Sequence, residues 1–283
     1  MISEPPLPVD PRALFADSAR GPLSLPLPPG RLIVPEGEVS ARPAFWLSDG
    51  PAPAGLWERL RAEHVRSGLW PVLLDSADDE AAEYRPWGNG EVAPGAMSSP
   101  DDHVADALLA KWWAEYTVDD PADELTPAQQ AAIIAPFGRT WPGSALTPPP
   151  DADPDRIADG LAEHLVAGHP SIRLGLVAVD RGADAVTAAG WTGPANYVED
   201  TAEISAVLRT WEERFGARVV GVGSATLVLS VAAPPTTREA AMAVAAEHFA
   251  FCPDNIWQGE HPYTLAAYAE RLVEDHSWTF WWD

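Results

Sequence analysis

"SIRLGLVAVD", residues 171–180, is apolar with hardly a break. A strand with one wet face alternates polar and apolar residues, whereas a near-continuous run needs cover on both faces. This segment therefore predicts a central strand in a sheet flanked by helices. Its neighbours supply the helices. "RIADGLAEHLVAG" (156–168) reads as a helix just before it. After it, Ile204, Val207, Leu208, Trp211 and Phe215 recur at helical spacing behind an expected capping box of Asp200 and Glu203, and Gly216 is placed to end the helix.

"ARVVGV" (217–222) and "ATLVLSVAA" (225–233) are rich in β-branched residues and flank Gly223-Ser224. A two-residue turn with glycine first predicts a hairpin, so the sheet is at least partly antiparallel. "PPTTREAAMAVAAEHFAF" (234–251) predicts a helix with Thr236 and Glu239 as its capping box. A further helix is expected in "YTLAAYAERLVED" (263–275), and the alternation of "SWTFWWD" (277–283) predicts a final strand with Trp278, Phe280 and Trp282 on one face and Trp281 on the other.

The first half is patterned less strongly. "RLIVPE", "AFWLSD" and "LWPVLLD" read as strands, and "AGLWERLRAEHVRSG" (54–68) as a helix whose apolar face is Leu56, Leu60 and Val65, stopped by Gly68. "DDHVADALLAKWWAEY" (101–116) predicts a helix capped by Asp101 or Asp102 that buries Val104, Leu108, Trp112 and Tyr116. A short helix is expected from Pro127, and at most one near Arg12 to Ala19 in the proline-rich beginning. The expected fold is α/β (α+β): a mixed, partly antiparallel sheet flanked by helices. It is divided into a proline-rich arm (1–30), an N-terminal α/β portion (31–117), a linker with a short helix (118–154) and a C-terminal α/β domain (155–283).

Composition narrows the function. With 42 acidic against 18 basic residues the formal net charge is −24, which repels a phosphate backbone or an anionic membrane and suits a basic protein partner. No stretch approaches the roughly 18 apolar residues of a membrane span. A single cysteine cannot form an intramolecular disulfide, and the first residues lack a basic start followed by an apolar run, so a cytoplasmic location is expected. Lys111 is the sole lysine in an arginine-, alanine- and proline-rich chain, a bias that suggests a GC-rich bacterial genome.

Motifs of known chemistry fail on context. "GVGSAT" (221–226) lies between two strands, where no helix N-terminus follows to cradle a phosphate. "DSADDE" (75–80) and "VDDPADE" (118–124) lack the alternating ligands and central glycine of a calcium loop, and read as solvated acidic loops.

"AEHFAFCPDNIWQG" (246–259) is the most motif-like stretch, with His248 four residues before Cys252, the only cysteine. Helical spacing turns both inward, where a cysteine behaves as a small hydrophobe. At the end of a helix the dipole disfavours a thiolate and favours a protonated His248; as the cap of a new turn begun by Pro253, Cys252 would instead have its thiol pKa lowered, with Asp254 opposing. Zinc wants about four ligands, and only His248 and Cys252 are suitably spaced unless His261 or His276 folds back.

Candidate binding residues are Trp191, Asn196, Tyr197, His248, Cys252, Asp254, Trp257 and Trp281. No catalytic residue, cofactor or metal set is expected. The favoured function is non-catalytic interaction with a basic protein, in its most concrete form immunity-type neutralisation of a basic toxin. The alternative is an enzyme or small-molecule site in a pocket near His248, Cys252 and Asp254.

Four blocks carry a family resemblance: "LRTWEERFGARVV" (208–220), "LVLSVAAPP" (227–235), "AAEHFAFCPDNIWQG" (245–259) and "WTFWWD" (278–283). In that order they resemble the bacterial family known as domain of unknown function 4253, over roughly residues 170–283. The resemblance implies kinship and brings no activity, cofactor or catalytic residue with it.

Overall fold

The computed structural model describes residues 14, 21–37, 42–77, 83–118, 126–146 and 152–283. The short helix expected near Arg12 to Ala19 lies outside them, apart from the buried Leu14.

Among the described residues, seven strands form one mixed sheet, flanked by helices as expected. In chain order they are β1 (Gly30–Ile33), β2 (Phe45–Pro51), β3 (Leu69–Leu74), β4 (Arg173–Ala178), β5 (Arg218–Val222), β6 (Thr226–Ser230) and β7 (Ser277–Trp281). Their order across the sheet is β1-β2-β4-β3-β5-β6-β7. The β3–β5 pair is parallel and every other pair antiparallel.

The apolar run of residues 171–180 contains β4, which is central. It pairs along its whole length with β3, Leu69 to Leu74 opposite Ala178 to Arg173, and on its other edge with β2. It thus sits between two strands that precede it by about a hundred residues in the chain, and the portions 31–117 and 155–283 share one sheet. All six residues of β3 are buried, which requires cover on both sheet faces. Gly175 lets β3 and β4 approach, since a Cβ there would lie 2.7 Å from Leu74 Cδ1.

The main helices are α1 (Leu56–Ser67), α2 (Ala105–Tyr116), α3 (Pro127–Ile133), α4 (Pro154–Gly168), α5 (Ala185–Ala189), α6 (Thr201–Phe215), α7 (Arg238–Phe251), α8 (Asp254–Trp257) and α9 (Leu265–Leu272). Helix α6 starts where Asp200 accepts from the Ala202 amide and stops at Gly216, whose φ of 61° is in the left-handed region. Helices α1 and α4 are clamped together by Arg61, which donates to both Asp159 oxygens and to Asp155.

Several local expectations are corrected. The hairpin between β5 and β6 is real, but it turns one residue later than expected: Gly223 to Ala225 connect the strands, and the Gly223 amide bonds to the Thr226 carbonyl across the turn. Helix α7 begins one residue later than expected, so Thr237 is the cap and accepts from Ala240, while Thr236 is exposed. Pro100–Asp102 form a separate 3-10 turn, leaving Val104 at the cap of α2, 69% exposed and outside its buried face. Val65 is 90% exposed. At about 100° per residue, the nine positions from Leu56 carry it half a turn out of phase, and Trp57 fills the inner face instead.

Candidate functional site

The stretch around Cys252 is where two signature blocks meet. Helix α7 ends at Phe251, with the Cys252 amide donating to the His248 carbonyl. The Cys252 carbonyl then accepts from Asn255 as Pro253 turns the chain into α8. Of the two readings the sequence left open, Cys252 therefore takes the first: it closes α7, while Pro253 is the N-cap of α8.

These turns aim three of the four side chains of the "CPDN" segment, Cys252, Asp254 and Asn255, at β7 and the residues that follow it, at the edge of the sheet. The Trp282 amide bonds to the Ala225 carbonyl, and the Val231 amide to His276, so residues 277, 279, 281 and 283 turn their backbone groups away from β6. That outward row is met by side chains. Asn255 Nδ2 donates to the Thr279 carbonyl at 2.7 Å and its Oδ1 accepts from the Trp281 amide at 3.3 Å. Cys252 Sγ donates to the Trp281 carbonyl at 2.9 Å, Asp254 Oδ2 accepts from the Asp283 amide at 3.0 Å, and Asp275 accepts from Ser277. A bare strand edge invites pairing with another chain. Here the Asn255 amide stands in for a neighbouring strand.

Beneath the clasp lies a buried core. The His248 ring packs against Trp278, Phe280 and Trp211 with centroids 4.4, 4.8 and 5.1 Å away. Its Nδ1 accepts from Tyr268, whose hydroxyl in turn accepts from Asn255 Nδ2; Nε2 has no partner among the described residues. Burial, assisted by the charge of Arg214, pushes the imidazole pKa down to about 3. The helix dipole was expected to favour a protonated His248, and desolvation overrules it. Burial also raises the Cys252 thiol well above its ordinary value, more than the nearby amides lower it. Neither group is poised as nucleophile or base.

Immediately before His248, Glu247 is fully buried and fully bonded. Its carboxylate accepts from Arg214, from Trp211 Nε1 at 2.7 Å and from the Ala145 amide at 2.7 Å. This ties segment 126–146 onto α6 and α7. Sequence reasoning passed over Glu247, because nothing in a helical pattern distinguishes a buried carboxylate with an arginine partner.

Asn196, Tyr197, Cys252, Asp254, Trp257 and Trp281 come together. The Tyr197 hydroxyl donates to Asp254 Oδ1 at 2.8 Å, Gln258 donates to the same oxygen at 3.0 Å, and Asn196 Nδ2 reaches the Asp283 carbonyl at 2.8 Å. Tyr116, read from the sequence only as a buried residue of its helix, joins from α2, its ring edge-to-face with Tyr197 at 6.0 Å and Trp257 at 5.8 Å. The phenols of both tyrosines are raised, first by burial and then by acidic neighbours: Asp254 for Tyr197, Glu115 and Asp254 for Tyr116.

Trp191 stands apart. Its indole donates to the Gly223 carbonyl, its ring packs on Trp282, and it helps line a small apolar cavity with Phe45, Val72, Trp87 and Val186, none of which is a reactive group.

Elsewhere, Ser98 Oγ lies 2.7 Å from His103 Nε2, but Asp200 approaches that same nitrogen at 3.9 Å and accepts the Ser98 amide. A triad carboxylate would hold the opposite nitrogen. The trio reads as a latch between the 97–103 loop and the start of α6. Among the described residues no cluster of His, Cys, Asp and Glu could hold a metal, and no helix is long and apolar enough to cross a membrane.

Residues 173–283, from β4 through β7, match the model of a family described as Domain of unknown function (DUF4253). The match includes both blocks that build the clasp. No curated protein and no solved structure matches the chain.

Proposed function

We propose that this is a cytoplasmic protein-interaction module of bacterial origin that binds a basic protein partner without catalysis, in the manner of an immunity protein neutralising a cationic toxin. The observation that carries the proposal is the division of labour around "CPDN". Its thiol, amide and carboxylate are turned inward onto β7, and rings and carboxylates are left at the surface. Half-buried Tyr116, Tyr197 and Trp257 lie beside exposed Asn196, Gln258 and Asp283. Tyrosine and tryptophan are the residues that anchor protein interfaces.

The formal charge of −24 supports a cationic partner, by steering encounter and by rejecting acidic competitors. A free, buried thiol suits a reducing compartment.

The test is co-purification from the native host at low salt, followed by reconstitution with the purified partner. A basic protein that rebinds, with affinity falling as salt rises, supports the proposal. A reconstituted partner that is acidic, or whose binding ignores salt, contradicts it.

A further inference from the structure

Two carboxylates are fully buried among the described residues, Glu247 and Asp254, and their surroundings differ in one respect. Glu247 has the Arg214 guanidinium. Asp254 is bonded by Tyr197, Gln258 and the Asp283 amide, and no cationic side chain pairs with it among the described residues. A buried carboxylate is costly without a counter-charge, and hydrogen bonds from neutral donors offset only part of that cost. Of its three partners, the Gln258 side chain belongs to an exposed residue and is the one an incoming donor could replace without unfolding anything.

Around this carboxylate are three partly exposed aromatic rings from separate elements: Tyr116 from α2, Tyr197 from the loop before α6, and Trp257 from α8. Each edge-to-face contact covers one ring's face with the other's edge, but all three rings remain partly exposed, and exposed aromatic faces attract cations, tryptophan most strongly. The charged side chains acting most strongly on the two tyrosines are Asp254, Glu115 and Glu203, all acidic.

Resting on the basic-partner proposal, we infer that an arginine side chain of the partner docks on the Tyr116–Tyr197–Trp257 surface and supplies the counter-charge that Asp254 lacks. Arginine fits better than lysine. Its planar guanidinium stacks on a ring face, sheds water more readily than an ammonium, and can donate sideways to a carboxylate.

The probe is a fluorescently labelled deca-arginine peptide titrated into the full chain at about 0.15 M salt, where long-range charge effects are screened. Deca-lysine and deca-citrulline serve as controls. The expected order is arginine tighter than lysine, with no binding of the neutral citrulline peptide. Two substitutions separate site from fold. Trp257→Ala removes a ring face, and Gln258→Arg places a guanidinium from this chain beside Asp254 and so competes with the peptide. Each is expected to weaken deca-arginine binding by about tenfold or more, with the circular dichroism spectrum of wild type.

If both variants are folded and bind within about twofold of wild type, the site is wrong and the basic-partner proposal stands. If wild type binds neither cationic peptide, the basic-partner proposal falls with it.

Discussion

Asn255 and Trp281 are joined as two strands would be: the Asn255 Oδ1 accepts the Trp281 amide at 3.3 Å while its Nδ2 holds the carbonyl of Thr279, two residues earlier. One side chain thereby closes the outer edge of a seven-stranded sheet. Asn255→Ala removes these bonds and the one to Tyr268, leaving backbone groups at the edge unpaired. It is expected to cost about 2–4 kcal/mol, read as a lower urea midpoint, with increased self-association from the opened edge. Wild-type stability in the variant would show that the clasp is incidental.

Cys252 is fully buried, and its thiol is raised by burial. Ellman's reagent at neutral pH is expected to react with it only as the protein unfolds, so that the labelling rate rises with urea in step with the loss of native fluorescence. Rapid labelling of the folded chain would favour thiol chemistry at this position.

His248 makes stability depend on pH with a definite sign. Its folded pKa, about 3, lies below the unfolded value near 6.5, so the unfolded chain binds the extra proton between these limits. Its contribution is complete above pH 6.5 and is lost as pH falls toward 3, at up to about 1.4 kcal/mol per pH unit. The groups facing the imidazole are Tyr268 and, at longer range, Arg214. His248→Phe is expected to flatten the stability profile between pH 6 and pH 4 relative to wild type. An unchanged slope would contradict a neutral buried imidazole.

Glu247→Ala leaves Arg214 without its buried counter-charge and the Ala145 amide without an acceptor. The expected loss is about 3–5 kcal/mol. Limited proteolysis adds a local readout, since cleavage near Ala145 is expected to accelerate more than cleavage within α6. Uniform acceleration would mean that the contact does not fasten this segment.

Val65→Ser and Val104→Ser are expected to change stability by no more than about 0.5 kcal/mol, because both valines face solvent. A loss above about 1.5 kcal/mol at either would restore the inward placement that periodicity suggested for them.

Those two valines show where the sequence was readable and where it was not. Long, strongly periodic segments announced themselves: β4 by its unbroken apolar run, α6 by its face and Gly216, β7 by alternating Trp278, Phe280 and Trp282. Errors fell at helix ends, at Val104 and Thr236, where one residue separates a cap from a face. The insertion of β4 between β2 and β3 could not be read, because long-range pairing leaves no local trace. The site was half legible. "CPDN" stood out by its cysteine and proline, and Tyr197 and Trp257 by their rings. Tyr116 is distant in sequence, and Asn255 and Glu247 act through partners that only the fold brings near.

The most direct measurement of the central claim, that the "CPDN" block serves β7 and not a reaction, is native-state hydrogen exchange at the Trp281 and Asp283 amides. Both point away from β6 and, among the described residues, are bonded only by the side chains of Asn255 and Asp254. The clasp predicts that in wild type they are protected nearly as well as the Trp282 amide inside the sheet, and that Asn255→Ala selectively releases Trp281. Rapid exchange of both amides in the wild-type protein, with Trp282 still protected, would contradict it.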